Sequence, residues 1–176
     1  MTLSVELLLD ARSEEAVREE WIALEARGFS SLAAHVSESN RPHISVFSSA
    51  VSIDTGLLSG ADIAVPFEIR LGSPVLFGSG PRRVLARSVI PSLPMLELHT
   101  AVHRQLGPRA MTMSPGDSQL VPGSWMPHVT LARRLRLASL AEALELIGGD
   151  IHGQVVGVRR WDSESRTVTM LAGTGE

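Results

Sequence analysis

The phrase "RPHISV" at residues 41–46 returns as "MPHVTL" at residues 126–131, and this echo constrains the fold more than any other feature of the chain. Both copies run Pro, His, a β-branched residue, a hydroxyl residue and an aliphatic one. The histidines, His43 and His128, are 85 positions apart in a chain of 176, close to half its length. A single copy carries little information. Two copies at that spacing suggest an internally doubled chain with matching histidines.

The surrounding pattern repeats as well. "LSVELLL" (3–9) has strand length and reads as buried on both faces. Ser13 offers an N-cap to a helix whose Val17, Trp21 and Leu24 share one face, and Gly28 stops it. "HISVFSSAV" (43–51) reads as a strand, "TGLLSGAD" as a turn or short helix, and "VPFEIRL" (65–71) as a strand. "GSGP" (78–81) marks a tight turn into strand "RVLARSVI" (83–90). A helix over about 93–106 follows, with Met95, Leu98, Val102 and Leu106 as its apolar stripe and Gly107 as its stop. An irregular segment, 107–125, leads to the second phrase. Ser139 and Glu142 form a capping box for helix 140–147, with core face Leu140, Leu144 and Ile147, before strands 151–161 and 166–172. The expectation is one α+β domain over 1–176, with pseudo-repeats of about 1–80 and 81–176. Two mainly antiparallel sheets face each other across a central cleft, with helices outside.

Composition excludes some chemistries. Without cysteine there are no disulfides and no thiolate metal sites. The N-terminus lacks a secretory pattern, and no apolar run has the length of a membrane span, so the expected location is the cytoplasm. All sixteen basic residues are arginine and the net charge is −3, which favours a small ligand or a nucleic-acid end over an extended duplex. Folding could still gather Arg82, Arg83, Arg133, Arg134 and Arg136.

On a strand, side chains two apart share a face. His43 therefore looks the same way as Ser45, and His128 the same way as Thr130. Across a pseudo-twofold axis, each wall of the cleft would supply one imidazole and one hydroxyl. One ring can start neutral as a base and the other protonated as an acid, while the hydroxyls hold phosphate oxygens. In-line displacement at phosphorus places nucleophile and leaving group on opposite sides, which suits histidines on opposite walls.

The twin phrases "PHIS" and "PHVT" resemble the paired H-x-[ST] motifs of the 2H phosphoesterase superfamily. "PGSWMPHVTLAR" (122–133) is similar to its bacterial 2'-5' RNA ligase and RNA 2',3'-cyclic phosphodiesterase branch. The resemblance implies hydrolysis of cyclic phosphates on nucleotides or RNA ends, with ligation as a possible reverse direction, and neither metal nor cofactor. It makes His43 and His128 the catalytic pair, with Ser45 and Thr130 on the phosphate. The branch's arginine falls on Arg133, although strict alternation puts Arg134 on the His128 face unless the strand ends or bulges. A monomer with no obligate protein partner and no membrane attachment is expected. A non-catalytic binder of nucleotides or RNA ends is an alternative, as is an enzyme for ADP-ribose cyclic phosphate or 2'-5' oligoadenylate.

Plainer readings cover the remaining features. His99 and His103, at i and i+4, read as solvated helix surface without a third metal ligand. "FGSGPR" (77–82) lacks phosphate-loop spacing and reads as a hairpin turn. Trp125, Phe47 and Trp161 could stack on a base, although core packing also accounts for them; Trp125 and Phe47 are carried as candidate substrate contacts beside Arg133. The 107–125 segment could form a lid over the cleft. His35 and His152 receive no role.

Overall fold

The apolar run at the start forms β1 (Leu3–Leu9), and every one of its residues is buried. The computed structural model describes residues 3–51, 53–55, 58, 63–109 and 120–173. The other strands are β2 (His43–Ser49), β3 (Phe67–Phe77), β4 (Arg82–Ile90), β5 (His128–Arg136), β6 (Ile151–Asp162) and β7 (Thr167–Gly173). The helices are α1 (Ala11–Ala26), α2 (Leu93–Leu106) and the short α3 (Leu140–Leu144). Among the described residues, no helix is long and apolar enough to cross a membrane.

The strands pair antiparallel in the order β1-β2-β5-β4-β3-β6-β7, and a further β1–β6 pairing closes the first six into a ring. Exchanging β1, β2 and β3 with β4, β5 and β6 leaves all of those ring pairings in place. The two sheets expected from the sequence are thus wings of one hydrogen-bonded sheet. β6 makes the join, because its 12 residues outrun any single partner. Its first part pairs with β3, its later part with β1 and β7, and Val155 meets both Phe67 and Leu9. On the other side the wings touch through a single pair, Ile44 with Val129.

Val17, Trp21 and Leu24 of α1 and Met95, Leu98, Val102 and Leu106 of α2 are buried as their spacing predicts, in one core with Leu3, Val5, Leu7, Ile44, Val129 and Leu131. The start of α1 differs from the sequence reading. Asp10 is its N-cap, accepting from Ser13 N at 3.1 Å and from Gln154 N of β6 at 2.6 Å. A carboxylate can serve both the helix end and the neighbouring strand, and Ser13 is buried behind it. Gly153 lies on β6 at this contact, where a Cβ would collide with the Ser13 and Asp10 side chains.

The capping box at Ser139 does not form: its side chain makes no cap bond, and Leu137–Ser139 is a 3-10 turn instead. α3 ends at Leu144, and the chain continues through i to i−3 bonds as far as Ile147. Leu140 and Ile147 pack on the core while Leu144 is exposed, so the expected three-residue face is only partly buried. The turn at 78–81 is as expected, with Gly78 and Gly80 at φ values of 87° and 76° that other residues rarely adopt. Much of "TGLLSGAD" and residues 110–119 of the expected lid lie outside the described residues.

Candidate active site

Ile44 and Val129 both face the core. Extending their antiparallel register by one residue each way sets His43 opposite Thr130 and Ser45 opposite His128. All four are half-buried on the face away from the core. The histidines occupy the diagonal of this square, with Cβ atoms about 7–8 Å apart or more as the strands diverge.

Each imidazole is held in the same way. His43 Nδ1 lies 2.7 Å from the Arg41 carbonyl, and His128 Nδ1 lies 2.8 Å from the Met126 carbonyl. A carbonyl only accepts, so Nδ1–H is the donor and the neutral ring carries its lone pair on Nε2. The intervening residues are Pro42 and Pro127, whose rings fix φ on the approach to each histidine. The carbonyl bond at Nδ1 thus sets the tautomer of each neutral ring.

Both motif strands bulge just after the hydroxyl residue. Glu6 pairs with Ser45 but Val5 with Phe47, leaving Val46 extra. Ala86 pairs with Thr130 but Leu85 with Ala132, leaving Leu131 extra. In each strand two consecutive residues are buried, Val46 with Phe47 and Leu131 with Ala132. The extra residue reverses the alternation and turns Arg133 away from the core, where it lines the cavity beside His43. The indole N–H of Trp21 donates to the Thr130 carbonyl at 3.0 Å, and that of Trp125 to the Ser45 carbonyl at 3.1 Å.

One expected substrate contact, Phe47, is corrected by this arrangement. Phe47 is 2% exposed and packs edge-on to His103, because the bulge points it into the core. Trp125 has one ring face stacked on His99 at 3.9 Å and its N–H on the Ser45 carbonyl, so it braces β2. The same cluster overturns the solvated reading of α2. His99 is buried, and His99 Nε2 meets the Leu120 carbonyl at 2.6 Å while His103 Nε2 meets that of Val46 at 3.0 Å. Burial holds both rings below the ordinary histidine range, His99 at about 4.

Sequence reasoning missed Glu6, Arg159 and Phe77. Glu6 Oε1 lies 3.7 Å from His43 Nε2, with the carboxylate 5% and the imidazole 23% exposed. Ser4 Oγ donates to Oε1 at 2.6 Å and Arg159 Nε to Oε2 at 2.8 Å. Burial pushes the Glu6 carboxyl up, but the charges of His43 and Arg159 and these hydrogen bonds outweigh it and leave it below its usual value. The available signal was a lone charged residue within "LSVELLL". Arg159 and Phe77 gave none. The Phe77 ring lies 4.4 Å from that of His128. Burial and the charge of His43 lower the His128 pKa, partly offset by the bond to Met126.

A cavity of about 1020 Å³ opens beside His43, lined also by Glu6, Arg133, Arg159, Trp161 and Met170. Four polar groups on one face, two with free Nε2 atoms, can hold an anion and move protons on both sides of it.

Among solved structures, TT0787 of Thermus thermophilus is similar with a TM-score of 0.61 at 19% identity, over 98% of this chain and 96% of that one. Usb1 of Kluyveromyces marxianus, solved with uridine monophosphate, is similar at 0.50 and 11% identity, over 97% and 96%. Escherichia coli LigT in its apo form is similar at 0.50 and 16% identity, over 97% and 94%. No curated protein sequence matches the chain. The family model of the 2'-5' RNA ligase superfamily matches residues 13–167. The chain belongs to that superfamily, the 2H phosphoesterases.

Proposed function

We propose that this protein is a metal-independent phosphoesterase that opens 2',3'-cyclic phosphates of nucleotides or RNA ends. The observation that carries the reading is the matched histidine pair, each ring tied through Nδ1 to the carbonyl two residues back and presenting Nε2 on the shared face. One imidazole takes a proton from the attacking water and the other gives a proton to the departing ribose oxygen. Ser45 and Thr130 donate to the non-bridging oxygens, and Arg133 adds a fixed positive charge. A ribose 5'-hydroxyl in place of water would run the same chemistry as ligation. The pairing symmetry of the ring supports a single domain built from repeats of about 1–80 and 81–176.

The experiment is a panel of 2',3'-cyclic mononucleotides and cyclic-ended oligonucleotides with product analysis, run with and without EDTA. Turnover to phosphomonoesters should survive metal removal. H43A or H128A should lower the rate by roughly 10²–10⁴, the range for one general acid or base. S45A or T130A should cost up to roughly 10²–10³, as for one transition-state donor. Full turnover by the H43A/H128A double variant, or activity restored only by a divalent ion, contradicts the reading.

A further inference from the structure

The cavity beside His43 measures about 1020 Å³, at the upper limit of the ~300–1,000 Å³ usual for a small-molecule site. Its floor is the sheet beyond β2, continued over β1, β6 and β7. Glu6, Arg159 and Met170 share one rung, and Trp161 and Val168 the next toward the β6–β7 turn. Met170 is 39% and Val168 42% exposed, so the floor offers apolar surface to a flat ring. Four arginines and two glutamates line the same space. Arg41 is answered by Glu14 and Arg159 by Glu6. Among the described residues, neither Arg133 nor Arg166 makes a hydrogen bond or ion pair, and Glu38 is the lining carboxylate left to oppose them. A net positive cavity in a chain of net charge −3 favours an anionic ligand.

The two free guanidiniums stand far apart. Arg133 is on β5 beside the histidines, whereas Arg166 is on the β6–β7 turn. Three strand spacings, about 14 Å, separate Ser45 from Met170 on their shared rung, and Arg166 lies four residues further along, about 13 Å. A phosphate held by His43 and His128 therefore does not also reach Arg166. The turn that carries Arg166 is fixed. Asp162 Oδ1 accepts from the Glu164 and Ser165 N–H groups at 3.0 and 3.3 Å, and its Oδ2 from Arg160 at 2.9 Å, so this carboxylate is occupied elsewhere. Arg166 itself sits at φ 54°, a costly conformation for a residue other than glycine and one that gathers at ligand sites.

We propose that this cavity binds the nucleotides 5' to the cyclic phosphate of a single-stranded RNA end, with Arg166 on an upstream phosphodiester and bases over Trp161, Val168 and Met170. This rests on the phosphoesterase reading above and adds the substrate's length and direction. In a 2',3'-cyclic phosphate both of those ribose oxygens are taken, so a chain grows only from the 5' oxygen, and a second anion lies on that side. Arg133, beside the histidines, stays with the cyclic phosphate. A chain that repeats flat bases and phosphates matches a floor of apolar side chains ending in a free guanidinium. The acidic remainder of the protein limits the contact to the last few nucleotides.

The test is kcat/KM of the full-length protein on uridine 2',3'-cyclic phosphate and on the uridine di- and trinucleotides with the same cyclic end and a 5'-hydroxyl. Wild type should gain about tenfold with length, the worth of one hydrogen bond to a charged group, and the gain should shrink at high salt. The step at which the gain appears, dinucleotide or trinucleotide, identifies the phosphodiester that Arg166 holds. R166N removes the guanidinium, and Asn adopts positive φ readily, so the turn is kept. The gain should be lost in R166N and R166E alike. No gain with length in wild type, or a gain that survives both substitutions, overturns the proposal. A wild type inert on every cyclic phosphate defeats the phosphoesterase reading. Calorimetry with a 3'-phosphorylated uridine trinucleotide and with uridine 3'-monophosphate then still judges the cavity: the trinucleotide should bind more tightly in wild type and lose that advantage in R166N, and equal affinities in wild type overturn the proposal.

Discussion

Burial lowers the pKa of His99, His103 and His128, and at His128 and His99 the consequences differ. At His128 it lowers the pKa, so a general base there stays neutral to more acidic pH than an ordinary histidine. The acid limb of kcat/KM should therefore lie below pH ~6.5, and F77A, which admits water to the ring, should move that limb upward. A profile whose acid limb ignores Phe77 would separate the packing from the chemistry. His99 bears on stability. Its folded pKa of about 4 lies below the unfolded value of 6.5, so the unfolded chain binds the extra proton between them. Stability is full above the unfolded pKa and falls as pH drops from about 6.5 toward 4, by roughly 2–3 kcal/mol. Urea midpoints across that window should show the fall, and H99F should flatten it even if it lowers the plateau.

Paired bulges organise the site at the level of elements. A bulge leaves backbone groups without ladder partners, and here a tryptophan from another element serves each strand. Trp21 reaches the Thr130 carbonyl from α1, and Trp125 reaches that of Ser45. W21F keeps the ring but removes the donor, stranding a partly buried carbonyl at a cost of about 1–3 kcal/mol. Because Thr130 and Arg133 flank that bulge, W21F should also reduce turnover several-fold. Wild-type stability and rate in W21F would show that the indole bond does not hold the bulge. Only part of this was legible beforehand. Val17, Trp21 and Leu24 announced the buried face of α1 by their spacing, whereas a bulge leaves no mark in a run such as "HVTLARR".

Across the whole molecule, charge separates the site from the remaining arginines. Arg82 pairs in register with Arg136, with Arg83 alongside, so folding does gather basic residues at the far end of β5. That end is eight residues from His128, about 25 Å at the usual rise per residue. A mononucleotide bound at His43 and His128 does not reach it. R82E/R136E should leave turnover of a 2',3'-cyclic mononucleotide unchanged, with little salt dependence in either protein. A large loss in the double variant on the mononucleotide would place substrate contacts far outside the cleft.

The sequence by itself determined the strands, the two long helices, and the four motif residues that share a face. Each follows from local rules: period-two side-chain direction, helical spacing, and the backbone preferences of proline and glycine. The same rules failed wherever one group had to satisfy two elements. Asp10 displaced Ser13 as cap because it also binds β6. Phe47 and Arg133 changed faces because each strand takes up one residue more than its partner. Glu6 met His43 and Arg159 only once β1 was seated between β2 and β6. Pairing register and the desolvation of a charge are set by contacts between residues distant in the chain, and only the tertiary structure decides them.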